Sequence, residues 1–488
     1  MKQLDNKIRE ANSQKMTSSE EKKELEKLRF SEKFVQIGCS VGANLSIISS
    51  GMGLGYPAIT SQSLLNELSE SQISWFAAVT AILCPFGGLI SGYLVEKFGR
   101  IGSLMIQDIV AIFSWLLIGL SRHSNPEYNF IQLMIARSLM GLVIGMSTTP
   151  GVMYTGEICD PKLRGRLTML SSPFFTAFGM LLIYLLGYLI PNDFRVVSFY
   201  AGLFTFITLF VCLFIPESHV YLININKIEE AKKSLSVTRR LRINHPDIDE
   251  EIQKILINKN LSSITTTKKN STWEEIKKPQ FYKPLSIMIA FFTIQQFSGI
   301  FTIFIYAAQF SLEAGTAIDI FLSAVIIGGV RCCTTIIVAF VSDKFGRRPL
   351  AVFSSSGMCV CMLGIIVCSI FGTSLKESSI YWLPTAFLFL FIFCGTFGVL
   401  TLPFAMLGEM YPQNSKGLAI GLTIFYAYTM SFINVKTFTS VFAAFGSIGM
   451  FSFYAFVALI GVSFAFFILP ETKGKSLQEI ENYFRNKN

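Results

Sequence analysis

Three short motifs occur twice in this chain, about 250 residues apart and in the same order. Each copy starts with an acid followed by Lys-Phe-Gly-Arg, continues with a Glu seven residues before a base, and ends with Pro-Glu-Ser or Pro-Glu-Thr. The copies are Glu96–Arg100 and Asp343–Arg347, Glu157–Arg164 and Glu409–Lys416, and Pro216–Ser218 and Pro470–Thr472. An order and spacing kept over this distance predict two halves of similar structure, with a binding site between them.

The sequence between the motifs is too apolar for a soluble protein of this size. Hydrophobic residues make up 51% of the 488 residues and charged residues 15%, and the mean hydropathy is +0.52. Twelve apolar runs have the length of about 20 residues that a helix needs to cross a bilayer. We number them spans 1 to 12: 35–58, 73–95, 103–120, 130–154, 167–190, 196–215, 284–310, 318–340, 350–372, 381–407, 416–443 and 448–469. The predicted fold class is an all-α integral membrane protein with twelve transmembrane helices in two six-helix halves.

Hydrophilic segments divide the chain into five predicted regions. The N-terminal segment is charged and has no apolar core, so we expect no cleavable signal peptide. The long loop between spans 6 and 7 contains two short amphipathic stretches, Ile228–Leu235 and Ile248–Ile257, which predict helices. The regions are an N-terminal tail at 1–34, an N-terminal bundle (the N-half) at 35–215, a central loop at 216–283, a C-terminal bundle (the C-half) at 284–469 and a C-terminal tail at 470–488.

The basic residues are distributed by topology. Most of the 41 Lys and Arg residues lie in segments that twelve crossings would place on one side of a membrane. Only Arg122, Arg195 and Lys376 fall in loops on the other side. Because positive loops stay in the cytoplasm, both termini and the central loop are expected there, in a multi-pass protein of the plasma membrane. The net charge of +9 therefore predicts no nucleic-acid partner.

The sequence predicts no enzyme and no metal site. Nine of the ten cysteines lie in spans, where Cys behaves as a small hydrophobic residue, and the tenth, Cys159, lies in a predicted cytoplasmic turn. The three histidines have no metal-ligand spacing. We expect no cofactor, and the sequence says nothing of the oligomeric state.

Charged residues at the short loops form a candidate cytoplasmic gate. Acids and bases recur there at matched positions in both halves, whereas charges that serve topology alone would need only the bases. Exposed ion pairs contribute about 0–1 kcal/mol each, which suits contacts that must form and break as two halves rock. The candidate gate residues are Glu96, Arg100, Glu157, Arg164, Glu217, Asp343, Arg347, Arg348, Glu409, Lys416 and Glu471.

Together these motifs resemble those of the sugar porters of the major facilitator superfamily. The segment Gln295–Gly299 reads Gln-Gln-Phe-Ser-Gly, and Arg137 precedes Gly141 by four residues, as in that family. Val435–Phe438 and a short first external loop look most like the insect facilitative trehalose and glucose transporters. The resemblance implies alternating access and a central sugar site. It assigns to that site Gln295, Gln296, Tyr306, Phe404 and Tyr428.

The chain also departs from the family pattern. Phe301 stands where the family has Asn, Phe404 where it has Trp, and Arg331 where an Asn commonly lines the site. Arg331 lies twelve residues before Asp343, about 18 Å along a helix and near the midplane. Two interpretations remain open: Arg331 binds an anionic or polyhydroxylated solute, or it finds an internal partner. Asp108 and Lys436 are expected nearer the helix ends.

The predicted transport mode is uniport, because span 1 contains no acid and proton-driven relatives carry one there. The expected cargo is trehalose or a hexose. Two alternatives stay open: a proton-coupled or organic-anion carrier that uses Asp108 and Arg331, and a non-transporting sugar sensor, against which the short C-terminal tail argues.

Overall fold

A computed structural model describes most of the chain as α-helices. The described residues are 32–65, 67–122, 125–191, 193–243, 245–265, 278–315, 318–371, 382–411, 416–473, 475 and 477–486. No strand occurs among them. This architecture is expected of apolar segments, because a backbone without water must satisfy its own hydrogen bonds, as a helix does.

The helices match the twelve spans. Nine helices in the described part of the chain are long and apolar enough to cross a bilayer. Two of them, Glu70–Gly119 and Lys416–Phe467, contain 50 and 52 residues and turn at internal glycines, so each provides two crossings. Span 7 is broken into Pro279–Phe297, Ile300–Ile305 and Ala307–Glu313. The chain therefore has the twelve-helix fold predicted from its sequence.

The remaining helices follow the same order. Helix starts show ordinary signals: Ser69 caps span 2 in a capping box with Gln72, and Asp319 caps span 8. The bounds are 32–44 and Ile47–Leu64 for span 1, Pro126–Met146 and Pro150–Ile158 for span 4, Pro161–Leu189 for span 5, Phe194–Cys212 for span 6, Ile320–Phe345 for span 8, Arg347–Ile370 for span 9, and Leu383–Phe397 and Leu402–Met410 for span 10.

We call the end of the bundle that carries the central loop the inner end, and the opposite end the outer end. Three helices of the central loop, His219–Asn224, Ile228–Arg239 and Pro246–Thr265, pack together at the inner end. Arg239 ties them to the N-half, with its guanidinium 2.7 Å from Glu251 and 2.9 Å from Asp160. Burial is the largest single influence on the Arg239 pKa and lowers it, but the neighbouring carboxylates together outweigh burial, so the pKa is raised.

A C-terminal helix, Leu477–Asn486, was not expected from the sequence. It lies against the C-half, where Ile480 and Phe484 are buried in a core formed with spans 7 and 10. The signal for it is the apolar spacing of Leu477, Ile480 and Phe484, three and four residues apart. Each half thus carries its own additional helices at the inner end, from the central loop or from the C-terminal segment.

The two halves meet along three pairs of helices. Span 2 contacts span 11, span 5 contacts span 8, and span 1 contacts the broken outer part of span 7. The largest core cluster includes buried residues from both halves, such as Met180 and Tyr184 of span 5 and Phe304 of span 7. The interface between the halves is therefore the place to look for a site.

Candidate functional site

The halves touch at the outer end through spans 2 and 11. The Ser74 hydroxyl donates to the Lys436 carbonyl at 3.0 Å. The Lys436 ammonium lies 4.6 Å from the centre of the Trp75 ring, and Trp75 also packs against Phe432. This cation–π contact places Lys436 opposite the first turns of span 2, ten residues before the turn at Gly446 and so not at the end of its own helix, contrary to the expectation.

Deeper contacts continue this interface towards the middle of the bundle. The Tyr184 hydroxyl of span 5 donates to the Phe304 carbonyl of span 7. Phe86 of span 2 meets Phe425 of span 11 edge to face, with ring centres 6.5 Å apart. The halves are thus joined by side chains from the outer end to about mid-depth.

Several buried polar atoms in the C-half have no hydrogen-bond partner among the described residues, and we refer to them together as the unpartnered group. It includes Gln296 Oε1, the Tyr306 hydroxyl and the Thr396 hydroxyl, on spans 7 and 10. Tyr306 is held in place by Phe438, whose ring stacks on it at 4.6 Å. A buried polar atom without a partner costs about 1–3 kcal/mol, so these atoms are suited to a ligand rich in hydroxyl groups.

Asn434 of span 11 binds the backbone of Gln296 and was missed from the sequence. Its amide nitrogen donates to the Gln296 carbonyl and, at 2.8 Å, to the Thr302 hydroxyl. Asn434 thereby links span 11 to both sides of the break in span 7. The available signal was an amide side chain in an otherwise apolar span, directly before Val435–Phe438.

Gln295, predicted as a sugar ligand, has its amide nitrogen engaged by the protein. This nitrogen donates to the Val399 carbonyl at 3.0 Å and to the Leu400 carbonyl at 2.8 Å. Those carbonyls lie in the gap between Leu383–Phe397 and Leu402–Met410, where span 10 loses its helical bonds. In this conformation Gln295 supports the break in span 10, and contact with a ligand stays a prediction.

The two other aromatic candidates have neighbours outside this group. Phe404 is 39% exposed and packs edge to face against Phe292 of span 7. Tyr428 is half-buried, and its hydroxyl lies close to the Cys84 thiol of span 2. Tyr428 thus contacts the opposite half.

Arg331 lies at mid-depth between the halves, as predicted from its position in span 8. Its guanidinium is 4.3 Å from the centre of the Phe304 ring, and Nη1 donates to the Met180 sulfur. Nε has no hydrogen-bond partner in the described part of the chain. The internal partners are therefore a ring and a thioether.

Asp108 is not near a helix end, so that expectation was wrong. It is fully buried, eight residues after Arg100 and thus about 12 Å into the bundle. Its Oδ2 accepts from the Ser46 hydroxyl at 2.7 Å and the Thr208 hydroxyl at 3.2 Å, so it lies between spans 1, 3 and 6. Small polar residues on neighbouring spans made this burial possible.

The motif residues of the N-half converge at the inner end. Arg100 pairs with Glu157 at 2.5 Å, and the Ser218 hydroxyl donates to the same carboxylate. Glu217 accepts hydrogen bonds from the backbone N–H groups of Arg100, Ile101 and Gly102, in the turn of helix that leads into span 3, at 3.0–3.4 Å. Gly99 turns the chain into span 3 with φ +86°, and a Cβ there would strike Glu217. Burial raises the Glu217 pKa, although these N–H groups oppose the shift.

The C-half repeats this network residue for residue. Arg347 pairs with Glu409 at 2.6 Å, and the Thr472 hydroxyl donates to Glu409. Glu471 accepts the N–H groups of Arg347 and Arg348 at 3.0 and 3.1 Å. Burial pushes the Glu471 pKa upwards, but the N–H groups and the Arg347 charge prevail, and the pKa is lowered.

Both networks lie inside their own halves, which differs from the predicted gate across the halves. Among the described residues, every recorded ion pair at the inner end joins groups on the same side of the interface. The physical reason is that a carboxylate at a helix N-terminus binds the local backbone N–H groups, a contact that rigid-body rocking leaves intact. Each network holds together the turn that leads into the next span, and we call it the joint of its half: Arg100, Glu157, Glu217 and Ser218 in the N-half, and Arg347, Glu409, Glu471 and Thr472 in the C-half.

The other predicted gate residues are more peripheral. Glu96 is exposed, and the Lys416 ammonium donates to the Gly408 carbonyl at 2.6 Å. The Arg348 side chain binds the backbone at the end of span 12, with Nε 3.3 Å from the Ala465 carbonyl. The side chains of Arg164 and Asp343 lie outside the described part of the structure.

Comparison with known proteins places this geometry in a family. A family model described as "Sugar (and other) transporter" matches residues 4–484. The facilitated trehalose transporter Tret1 of Bombyx mori is 26% identical over 451 residues, covering 92% of this chain and 86% of that protein. Tret1 of Polypedilum vanderplanki is 27% identical over 456 residues, covering 92% and 88%.

Solved structures show the same fold. The inward-open xylose transporter XylE of E. coli superposes with a TM-score of 0.75 at 20% identity, covering 92% of this chain and 99% of that chain. XylE bound to 6-bromo-6-deoxy-D-glucose, a proton:xylose symporter of the major facilitator superfamily, gives a TM-score of 0.69 at 21% identity, with coverages of 92% and 99%. With its twelve helices in two repeated halves, this chain is a multi-pass membrane protein that belongs to the sugar transporter family.

Proposed function

We propose that this protein is a facilitative uniporter that moves a sugar, trehalose or a hexose, across the plasma membrane by alternating access. The observation that carries the proposal is the group of buried, unpartnered polar atoms at Gln296, Tyr306 and Thr396, beside the interface of two halves with matched joints. Hydroxyl groups of a sugar both donate and accept hydrogen bonds, which is what such a group needs. The relatives named as facilitated trehalose transporters support the choice of sugar.

The contacts at the interface support rocking of the two halves. Those that join the halves include Ser74 with Lys436 and Tyr184 with Phe304, towards the outer end. The ion-pair networks at the inner end are internal to each half. Two rigid halves that separate at the inner end and close at the outer end correspond to one of the two states of alternating access. The positive loops favour a topology with both termini in the cytoplasm.

Uniport is supported by the surroundings of Arg137. Span 1 carries no acid between residues 35 and 58. Arg137 instead donates to the Gly53 carbonyl at 2.7 Å and to the Phe76 carbonyl at 3.1 Å. Gly53 lies on span 1, and backbone carbonyls do not titrate, so among the described residues the side chain of Arg137 has no hydrogen-bond partner that could take up and release a proton.

Proton-coupled transport is the second candidate, and Asp108 is the observation that favours it. Its carboxyl is fully buried, and among the described residues no cation lies within ion-pair distance of it. A carboxyl in such a site can take up a proton. Against coupling, its partners Ser46 and Thr208 belong to the N-half, away from the unpartnered group of the C-half.

The test is uptake by purified protein in liposomes. Labelled trehalose and glucose are offered at two pH values, with and without a proton ionophore, and protein-free liposomes serve as the control. Saturable uptake that the ionophore does not change supports uniport. If the ionophore abolishes uptake by the wild type, and Asp108→Asn still takes up sugar without a proton gradient, the coupling is assigned to Asp108. Absence of sugar uptake by correctly inserted protein overturns the proposed function.

A further inference from the structure

Four arginines are buried among the described residues, and three of them have strong acceptors. Arg100 and Arg347 pair with Glu157 and Glu409, and Arg137 donates to two backbone carbonyls. Arg331 is the exception. It is 7% exposed, and the described residues place no carboxylate within 4.0 Å of it.

The surroundings of Arg331 are poor substitutes for an anion. Its recorded contacts are the Met180 sulfur, a weak acceptor, and the face of the Phe304 ring at 4.3 Å. Nε has no partner in the described structure. A guanidinium offers five donors in a planar fork that matches a carboxylate or a phosphate, and most of that capacity is unused.

The position of Arg331 connects it to transport. Met180 belongs to span 5 of the N-half, whereas Phe304 and Arg331 belong to spans 7 and 8 of the C-half. The Tyr184 hydroxyl closes the same contact by donating to the Phe304 carbonyl. When the halves rock and span 5 moves away from span 8, Met180 leaves the guanidinium of Arg331. The guanidinium then faces the space between the halves.

We propose that Arg331 is the recognition residue for an anionic group on the sugar, so that the cargo includes acidic sugars bearing a carboxylate or a phosphate. This inference rests on the proposed function and narrows its substrate class. The anion binds the guanidinium when the halves part at the level of span 5. In the conformation seen here Arg331 returns to Phe304 and Met180, and this exchange of partners favours release.

The test uses the full-length protein in liposomes. Glucuronate and glucose 6-phosphate compete with labelled glucose, with unlabelled glucose as the neutral reference and inorganic phosphate as the anion without a sugar. We expect the acidic sugars to compete about tenfold better than glucose, because the charge-assisted bidentate bond adds to the sugar contacts. Inorganic phosphate should compete no better than glucose.

Variants assign the effect to the guanidinium. Arg331→Gln should abolish the preference for the acidic sugars and retain competition by glucose, and Arg331→Lys should keep part of the preference. Cys333→Ala is the matched control, since it changes an exposed residue of the same helix and keeps both the guanidinium and its partners. Size exclusion and thermal melting of each variant report folding, and a thermal shift of wild type with glucuronate reports binding without transport.

Each outcome separates the two proposals. Equal competition by neutral and acidic sugars, or a preference that survives in folded Arg331→Gln, overturns the role of Arg331 and leaves sugar uniport standing. Strong competition by inorganic phosphate alone overturns the acidic-sugar class. No uptake of any sugar overturns the proposed function, and a glucuronate-dependent thermal shift that is lost in Arg331→Gln would still support the anion site.

Discussion

The two halves share their joints and differ in their buried polar chemistry. At the inner end the same partners recur: Arg100 with Glu157 and Arg347 with Glu409. In the N-half, four described side chains have one buried oxygen without a partner, but their second polar atom forms a hydrogen bond inside that half. These side chains are Asn44, Gln107, Asp108 and Asn129. In the C-half, the hydroxyls of Tyr306 and Thr396 have no described partner at all.

This difference separates structural work from ligand recognition. A repeated joint preserves the turn from one span to the next, which both halves need in the same form. Polar atoms that have no protein partner are retained at a cost of about 1–3 kcal/mol each, which is reasonable only where something else binds them. The C-half therefore provides the larger share of the proposed sugar site, and the N-half provides a surface that moves against it.

The largest expected effect comes from breaking one joint. Arg100→Gln leaves the half-buried Glu157 without its cation and should lower the free energy of unfolding by about 2–3 kcal/mol. Arg347→Gln should act alike on the C-half if the joints are equivalent. Thermal melting in detergent measures both, with exposed Glu96→Gln as the control. A much smaller loss in either variant would show that the repeat is one of sequence only.

Substituting the turn glycine should have a somewhat smaller effect. Gly99→Ala places a Cβ at φ +86° and against Glu217, so we expect a loss of about 2 kcal/mol or more. Gly346→Ala does the same in the C-half, where the Cβ would lie 2.7 Å from Glu471 Oε2. Gly92→Ala, in open space on span 2, is the matched control. Unchanged melting of Gly99→Ala would contradict the close approach.

Single hydrogen-bonding groups sharpen the contrast between the halves. Tyr306→Phe removes a buried hydroxyl without a described protein partner, so stability should rise by about 1 kcal/mol while sugar affinity falls by about 0.5–1.5 kcal/mol. Trp115→Phe in the N-half removes an N–H that donates to Ser49 at 3.1 Å, so stability should fall and affinity should not. Melting curves and KM for uptake test both. The reverse pattern would place the sugar contacts in the N-half.

The smallest effect separates the two capping glutamates by pH. The Glu217 pKa is raised above its ordinary 4.5, so the folded state binds this proton more tightly, and stability should rise as pH falls towards 4.5. The Glu471 pKa is lowered, so its contribution is present above 4.5 and is lost as pH falls through the lower value. The measurement is the melting temperature of wild type and of each variant between about pH 7 and about pH 4. As the pH falls, the advantage of wild type over Glu217→Gln should grow, and its advantage over Glu471→Gln should shrink. Parallel slopes would contradict the assignment.

Much of this structure could be predicted without coordinates. The apolar runs predicted twelve crossings, and span 8 placed Arg331 at mid-depth, since both depend on helix length alone. The candidate site was harder to predict. Gln296 and Tyr306 were named from the motif of span 7, but Asn434 and Thr396 were missed because a polar residue in an apolar span does not show which way it faces. Six of the predicted gate residues, Arg100, Glu157, Glu217, Arg347, Glu409 and Glu471, lie in the two joints, each inside its own half, and their action as a gate stays a prediction.

What the sequence determined by itself is therefore the order of the helices and the repetition of their motifs in the two halves. These follow from hydrophobic length and from motifs whose parts lie close along the chain or recur at fixed spacing. Only the tertiary structure decided which spans face each other, and hence that Glu217 closes the joint of span 3, that Asp108 is buried, and that Arg331 lies between the halves against Phe304. The physical reason is that each contact joins residues far apart in the chain, and the rotation of each helix about its axis is set by packing with its neighbours.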